Sequence, residues 1–276
     1  MRFNKLFFVE TINMKNILSK ITMGLSLALI LNDGGAFAQT TPPPTPVPAP
    51  AVAAAPAPAA AGQAAAKPKK KKPYVDIVKL NHDYYTSYYS KSQRIPVMVT
   101  YRLTEDMLYC DPHVPRTNKF VADPKLAGLT SNLKDYVRSG YDKGHNMSAA
   151  DNVCSEDGMD QCFYFSNMTP QPHFFNAGIW ERLENAERME ANTHGEVIVS
   201  VGSLGKKTTI GAHKVVVPKY MWKVVYIPQD NVYYAYMFPN SDAVADDNYQ
   251  SYQVALSDIK TNAGVHFEEG YAVPNK

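Results

Sequence analysis

Cysteine is scarce in this chain, with three residues in 276: Cys110, Cys154 and Cys162. The odd count argues against a full disulfide framework, and no Cys-x-x-Cys pair is present to seed a zinc site. Cys154 and Cys162 are close enough in sequence to close a short loop, with Cys110 left over. Three free thiols are the competing reading. Long apolar runs are also lacking. The run Ile21 to Leu31 falls well short of the roughly twenty residues a bilayer-spanning helix requires, and no later segment reaches that length, so no membrane span is expected. A positive charge excess is missing too. The formal net charge is +2. With the four basic and two acidic residues of positions 1–38 and the five lysines of positions 67–72 set aside, 19 basic residues face 24 acidic ones. That balance argues against a high-affinity nucleic-acid binder held by a whole-domain field. No internal repeat is found, and no recognition helix or zinc finger suggests base readout.

The 45% apolar content is enough to bury a core. It is unevenly spread. Residues 1–38 read as an export signal: Lys15 and Lys20 precede the apolar run, and Ala36-Phe37-Ala38 follows as a small-residue cleavage site. The stretch before Met14 is long for a basic leader, which makes Met14 the expected start. The competing reading is a buried helix of the mature protein. Export implies a periplasmic or extracellular location. Residues 39–73 are rich in Pro and Ala and end in Lys67-Pro68-Lys69-Lys70-Lys71-Lys72-Pro73. Such a composition cannot bury apolar surface and reads as a disordered linker. Its lysines serve either as a solubilising patch or as a salt-sensitive phosphate contact.

The folded domain is expected over residues 74–276. Strands are predicted at Ile95–Leu103, Phe163–Phe165, Val197–Val201, Lys214–Val217, Lys223–Ile227 and Tyr233–Phe238, from Val-rich or aromatic alternation. Cys110–Asn132 reads as irregular. Asn176–Asn192 reads as a helix, with Ile179, Trp180, Leu183, Ala186 and Met189 on one face and Gly195 just past its end. Tyr252–Thr261 reads as a late helix. The fold class is therefore α+β, with a central antiparallel sheet flanked by helices.

Two clusters carry candidate chemistry. Gly140-Tyr141-Asp142-Lys143-Gly144-His145-Asn146-Met147 holds a histidine between polar residues, off any apolar face. Histidine suits proton abstraction near neutral pH, and Asp142 is placed either to fix its tautomer or to brace the turn. Taken alone, a surface histidine in a turn explains it as well. The second cluster runs from Phe165-Ser166-Asn167-Met168-Thr169-Pro170-Gln171 into the helix from Asn176 to Glu184. Asn176 offers an amide oxygen to a hard cation, and Glu184 can act through that ion's waters. Taken alone, Asn176 is as readily an N-cap, Glu184 a solvated helix charge, and Asn167 a turn residue.

Together the clusters resemble the DNA/RNA non-specific endonuclease family, the ββα-metal nucleases. Asp142-Lys143-Gly144-His145 matches Asp-Arg-Gly-His. Ser166-Asn167-Met168-Thr169-Pro170-Gln171 matches Ser-Asn-Met/Ile-x-Pro-Gln. Asn176-Ala177-Gly178-Ile179-Trp180-Glu181-Arg182-Leu183-Glu184 matches Asn-x-Gly-x-Trp-x-x-Leu-Glu. The likeness extends over most of residues 80–270, with Arg94–Tyr101 resembling an early strand and Val217–Lys223 resembling Val-Pro-x-x-x-x-Lys. The resemblance implies a ββα-metal fold. It makes His145 the general base, Asn176 the single direct metal ligand, Glu184 the residue ordering the metal's waters, and Asn167 a support for the His loop or the substrate. Arg116 resembles the phosphate-contacting arginine, with Arg94 as its competitor. Lys143 stands where the family has Arg; with Asp142 and Arg116 it belongs to the expected substrate-binding set. Lys keeps the charge and loses the two-pronged grip on phosphate. The implied cofactor is Mg²⁺, with Mn²⁺ as alternative. The implied partners are DNA and RNA, held through the phosphate backbone, and a homodimer is common in the family. The implied activity is phosphodiester hydrolysis with little sequence preference, leaving 5′-phosphates. The rival readings are a metal phosphodiesterase acting on smaller substrates, a nucleic-acid-binding module with lapsed catalysis, and a structural exported domain anchored through its Lys-rich segment.

Overall fold

The computed structural model describes residues 76–275, so the expected leader, the linker and the Tyr74 domain start lie outside the described residues. The main sheet has seven antiparallel strands in the order β1-β2-β3-β6-β9-β10-β11. These are β1 (Ile77–Asn81), β2 (Thr86–Ser90), β3 (Ile95–Thr104), β6 (Glu196–Leu204), β9 (Tyr220–Ile227), β10 (Val232–Pro239) and β11 (Gln253–Val254). Between β3 and β6 the chain makes a separate ribbon of β4 (Asp142–His145) and β5 (Met168–Gln171). Two more ribbons pair β7 (Thr208–Ile210) with β8 (Val215–Val217), and β12 (Val265–Glu268) with β13 (Tyr271–Pro274). The helices are short: α1 (Leu133–Tyr136), α2 (Glu156–Cys162), α3 (His173–Phe175) and α5 (Leu256–Ile259). The exception is α4 (Glu181–His194), with 14 residues. Among the described residues, no helix is long and apolar enough to cross a membrane.

Alternation along the central strands divides the core. On β9, Met221 and Val225 pack with Trp180, Phe175 and Phe238 beneath α4, while Trp222 and Val224 pack on the other face with Ile259, Val265 and Ala272. Period-two side-chain alternation requires this split, and it sends Lys223 to the α4 side. Burial of Trp180 and Trp222 contributes on the order of 3 kcal/mol each from apolar area alone.

The α+β class and the antiparallel sheet agree with the sequence reading. Four local expectations are corrected. Phe163–Phe165 is not a strand: Phe163 closes α2 and Phe165 opens a 3₁₀ turn, and both rings turn inward. Their β-propensity yields to packing. The helix expected from Asn176 starts three residues earlier, so Asn176 is no N-cap. It contains a wide turn at Asn176–Trp180, where Gly178 adopts φ −114°, ψ −107°. A Cβ at Gly178 would lie 2.7 Å from the Ala245 carbonyl oxygen, so only glycine allows the two backbones this approach. Of the late helix only Leu256–Ile259 and a wide turn at Lys260–Gly264 form, because Gln253–Val254 pairs with Ala235 and Tyr236 as an edge strand. The disulfide joins Cys110 to Cys154, not Cys154 to Cys162. Cys162 is a free thiol turned inward beside Met159 and Phe163, and burial raises its pKa.

Candidate active site

β4 and β5 pair in register, Asp142 with Gln171 and His145 with Met168. A Cβ at Gly144 would collide with the enclosed Gln171 side chain, so any substitution there must displace Gln171. The chain just beyond His145 is clamped by two buried amides. Asn146 Nδ2 donates to the Asn167 carbonyl at 2.8 Å and to Thr169 Oγ1 at 3.1 Å. Asn167 Oδ1 accepts from the Met147 N–H at 2.9 Å, while its Nδ2 donates to the Met147 and Cys162 carbonyls. Asn167 is fully enclosed and committed to backbone.

His145 is half-buried as a residue, but its Nε2 is enclosed and without a hydrogen-bond partner. The ring stands edge-on to Phe163 at 4.9 Å between centroids and lies 5.8 Å from Phe120. The expectation that it avoids apolar surroundings is thus corrected: the polar neighbours in sequence point elsewhere. The same two aromatics carry cations. The Arg116 guanidinium lies 5.0 Å over Phe163, and Lys143 Nζ lies 4.6 Å over Phe120. Burial, then Arg116 and Lys143, pulls the His145 pKa down to about 3, so the imidazole is neutral at physiological pH. The Arg94 guanidinium, the competitor of Arg116, donates through Nη1 to the Gly128 and Thr130 carbonyls.

Asp142 does not touch His145. Residues three apart on a strand point to opposite faces. The Asp142 carboxylate instead accepts from Asn176 Nδ2 at 3.2 Å and pairs with His173 Nδ1 at 2.9 Å. A carboxylate can only accept here, so the Asn176 amide nitrogen must face it, which leaves Oδ1 uncommitted. The start of this helix is docked by Phe175 N–H on Asp242 and by Arg182 on the Ala245 carbonyl. Glu184 is buried rather than solvated. Burial raises its pKa against the pull of Lys223, with Asp151, Arg188 and Ser148 also close. Among the described residues, no group of three or more His, Cys, Asp or Glu side chains is placed to hold a metal. A single uncommitted amide oxygen suits instead a hard cation that keeps most of its waters.

The fold therefore gathers His145, Arg116 and Lys143 around two rings, and ties Asp142 to Asn176. Glu184 faces the turn that follows His145. Sequence reasoning missed Phe120, Phe163, His173 and Gln171 as site walls. Phe120 lay within the Arg116–Pro124 segment, but nothing in its sequence context marked it as a ring shared by a base and a cation.

Residues 63–273 match the family described as DNA/RNA non-specific endonuclease. The chain is 32% identical over 205 residues to the mitochondrial nuclease EXOG of Danio rerio, covering 67% of this chain and 60% of that one. It is 33% identical over 205 residues to nuclease C1 of Cunninghamella echinulata var. echinulata, covering 68% and 81%. A chain of the EndoG/EndoGI complex superposes with TM-score 0.65 at 29% identity, covering 70% of this chain and 86% of that one. The β4–β5 ribbon and the helix after it form the ββα unit of this fold, and the chain belongs to the DNA/RNA non-specific endonuclease family.

Proposed function

We propose that the chain is a metal-dependent endonuclease that hydrolyses phosphodiester bonds of DNA and RNA with little sequence preference and leaves 5′-phosphates. The observation that carries this reading is the neutral, enclosed imidazole of His145 between two cationic side chains. Arg116 and Lys143 would receive the phosphate, His145 would take the proton of the attacking water, and Asn167 would hold the His loop. A base near 3 is weak. A phosphate between Arg116 and Lys143 cancels the electrostatic part of that depression, so basicity rises once substrate is seated. Asp142 serves best by aiming Asn176, whose Oδ1 would hold Mg²⁺ or Mn²⁺, with Glu184 ordering its waters. The ion would supply charge at the scissile phosphate and the leaving oxygen. All these contacts address the backbone, which explains low sequence preference. The local cationic cluster answers the objection raised by the acidic domain as a whole. The leader residues and the Cys110–Cys154 disulfide favour export to an oxidising compartment.

Digestion of supercoiled plasmid and of long RNA, with and without chelator, tests the reading. It predicts short, ligatable 5′-phosphorylated fragments that vanish with chelator. Cleavage of small phosphodiesters with intact plasmid, or cutting that survives chelation, would refute it.

A further inference from the structure

β9 carries Lys223 fully enclosed into the α4 side of the core. Trp180, Glu184 and Glu187 lie four and three residues apart on the facing helix, forming one stripe. Lys223 Nζ is 4.6 Å from the Trp180 ring centroid, and 3.0 and 2.9 Å from the two Glu187 oxygens. The Tyr101 hydroxyl from β3 lies 3.2 Å from Glu187 and 3.1 Å from Asp151, with one proton to donate. Arg188 pairs with Asp151 at 2.8 Å. Three enclosed carboxylates, Asp151, Glu184 and Glu187, thus share two cations, Lys223 and Arg188: full ionisation leaves one formal negative charge in excess, and burial pushes Glu184 and Glu187 towards their protonated forms.

A buried ion pair is weak evidence of a stabilising role. Replacing a buried ion pair by apolar side chains is often neutral or stabilising. The sequence pattern also offered Met189 to the buried face, yet Met189 is 70% exposed while Glu184 and Glu187 turn inward. We propose that Lys223 is a positioning residue for phosphodiester hydrolysis, its enclosed ammonium acting as the fixed counter-charge that holds Glu184 as an anion facing the turn after His145. The consequence for catalysis rests on the nuclease reading; the placement of charge does not.

The groups facing Glu184 are Lys223 from β9, Asp151 and Ser148 from the turn after β4, Arg188 and Glu187 from α4 itself, and Tyr101 from β3. Lys223 opposes the effect of burial most strongly. Without it, three carboxylates share one guanidinium.

The test is a pH titration of glutamate side-chain carboxyl carbons by ¹³C NMR in the metal-free chain, with the Glu184 signal identified by its loss in Glu184→Gln. In Lys223→Met the Glu184 midpoint should rise by about one to three pH units. The double variant Lys223→Met/Glu187→Gln restores a single excess negative charge and should return the midpoint to that of the natural chain. The acid limb of plasmid cleavage should move in the same order. A folded Lys223→Met with an unmoved Glu184, or a double variant shifted as far as the single, overturns the proposal. If the single variant does not fold, the double variant is compared with Glu187→Gln alone: its Glu184 midpoint should lie about one to three pH units higher, and equal midpoints overturn the proposal. Carboxyl shifts as expected in a chain that cuts no nucleic acid would support the charge role while sinking the nuclease reading.

Discussion

Replacing His145 by Gln removes one titrating group from beneath Phe163 and Phe120, and the cost of that group to folding can be worked out. In the folded chain its pKa is about 3; in the unfolded chain it is roughly 6.5. The folded value is depressed, so the group's stability contribution is fully present above pH 6.5. As pH falls from about 6.5 towards 3, the unfolded chain takes up a proton that the folded chain refuses. Stability drops by about 1.4 kcal/mol per pH unit through that window. Between pH 7 and pH 5 the loss assigned to His145 is about 2 kcal/mol. Urea unfolding of the natural chain and of His145→Gln at both pH values isolates it, because the other titrating groups are common to the two proteins. The natural chain should lose about 2 kcal/mol more than the variant on going to pH 5. Equal losses in the two proteins would show that the imidazole is not enclosed as described, and the account of a neutral, substrate-tuned base would fall with it.

Gly144→Ala should destabilise the fold by about 1–3 kcal/mol by thermal unfolding, because Gln171 must vacate the space the new methyl enters; an unchanged Tm would contradict the packing of the β4–β5 ribbon. Arg116→Ala should lower kcat/KM for plasmid cleavage by roughly ten- to a hundredfold with stability intact, whereas Arg94→Ala should lower stability and leave kcat/KM near its natural value; the reverse pattern would exchange their roles. Replacing Cys110 and Cys154 by Ser opens a link between residues 44 apart and should cost about 2–4 kcal/mol in urea unfolding. The disulfide also ties the segment bearing Arg116 to the turn after His145, so KM should rise more than kcat falls; no change in either would mark the link as idle.

The strong signals in the sequence were those that lie on one short segment each. Three motifs, in order, single out His145, Asn167, Asn176 and Glu184 as candidates, and Val-rich or aromatic alternation locates β3, β6, β9 and β10. What escaped depends on where side chains point. Asp142 looked like a partner for His145 until β4 put them on opposite faces and gave Asp142 to Asn176. Helical periodicity assigned Met189 inward, because apolar spacing alone cannot anticipate that an enclosed Lys223 attracts Glu187 instead. Cysteine spacing favoured Cys154 with Cys162, yet α2 turns Cys162 into the apolar cluster around Phe163, out of reach of Cys154. Phe163 and Phe165 had strand-like composition and serve as walls around the imidazole and the core. Each miss is a tertiary demand overriding a local preference.

Nicking of supercoiled plasmid by His145→Ala and Asn176→Ala, compared with the natural chain at equal Mg²⁺ and with folding checked by circular dichroism, is the most direct measurement. Each variant should keep its fold and lose at least about a hundredfold in rate. A folded variant of either kind that nicks at the natural rate would remove that side chain from the reaction and contradict hydrolysis at this site.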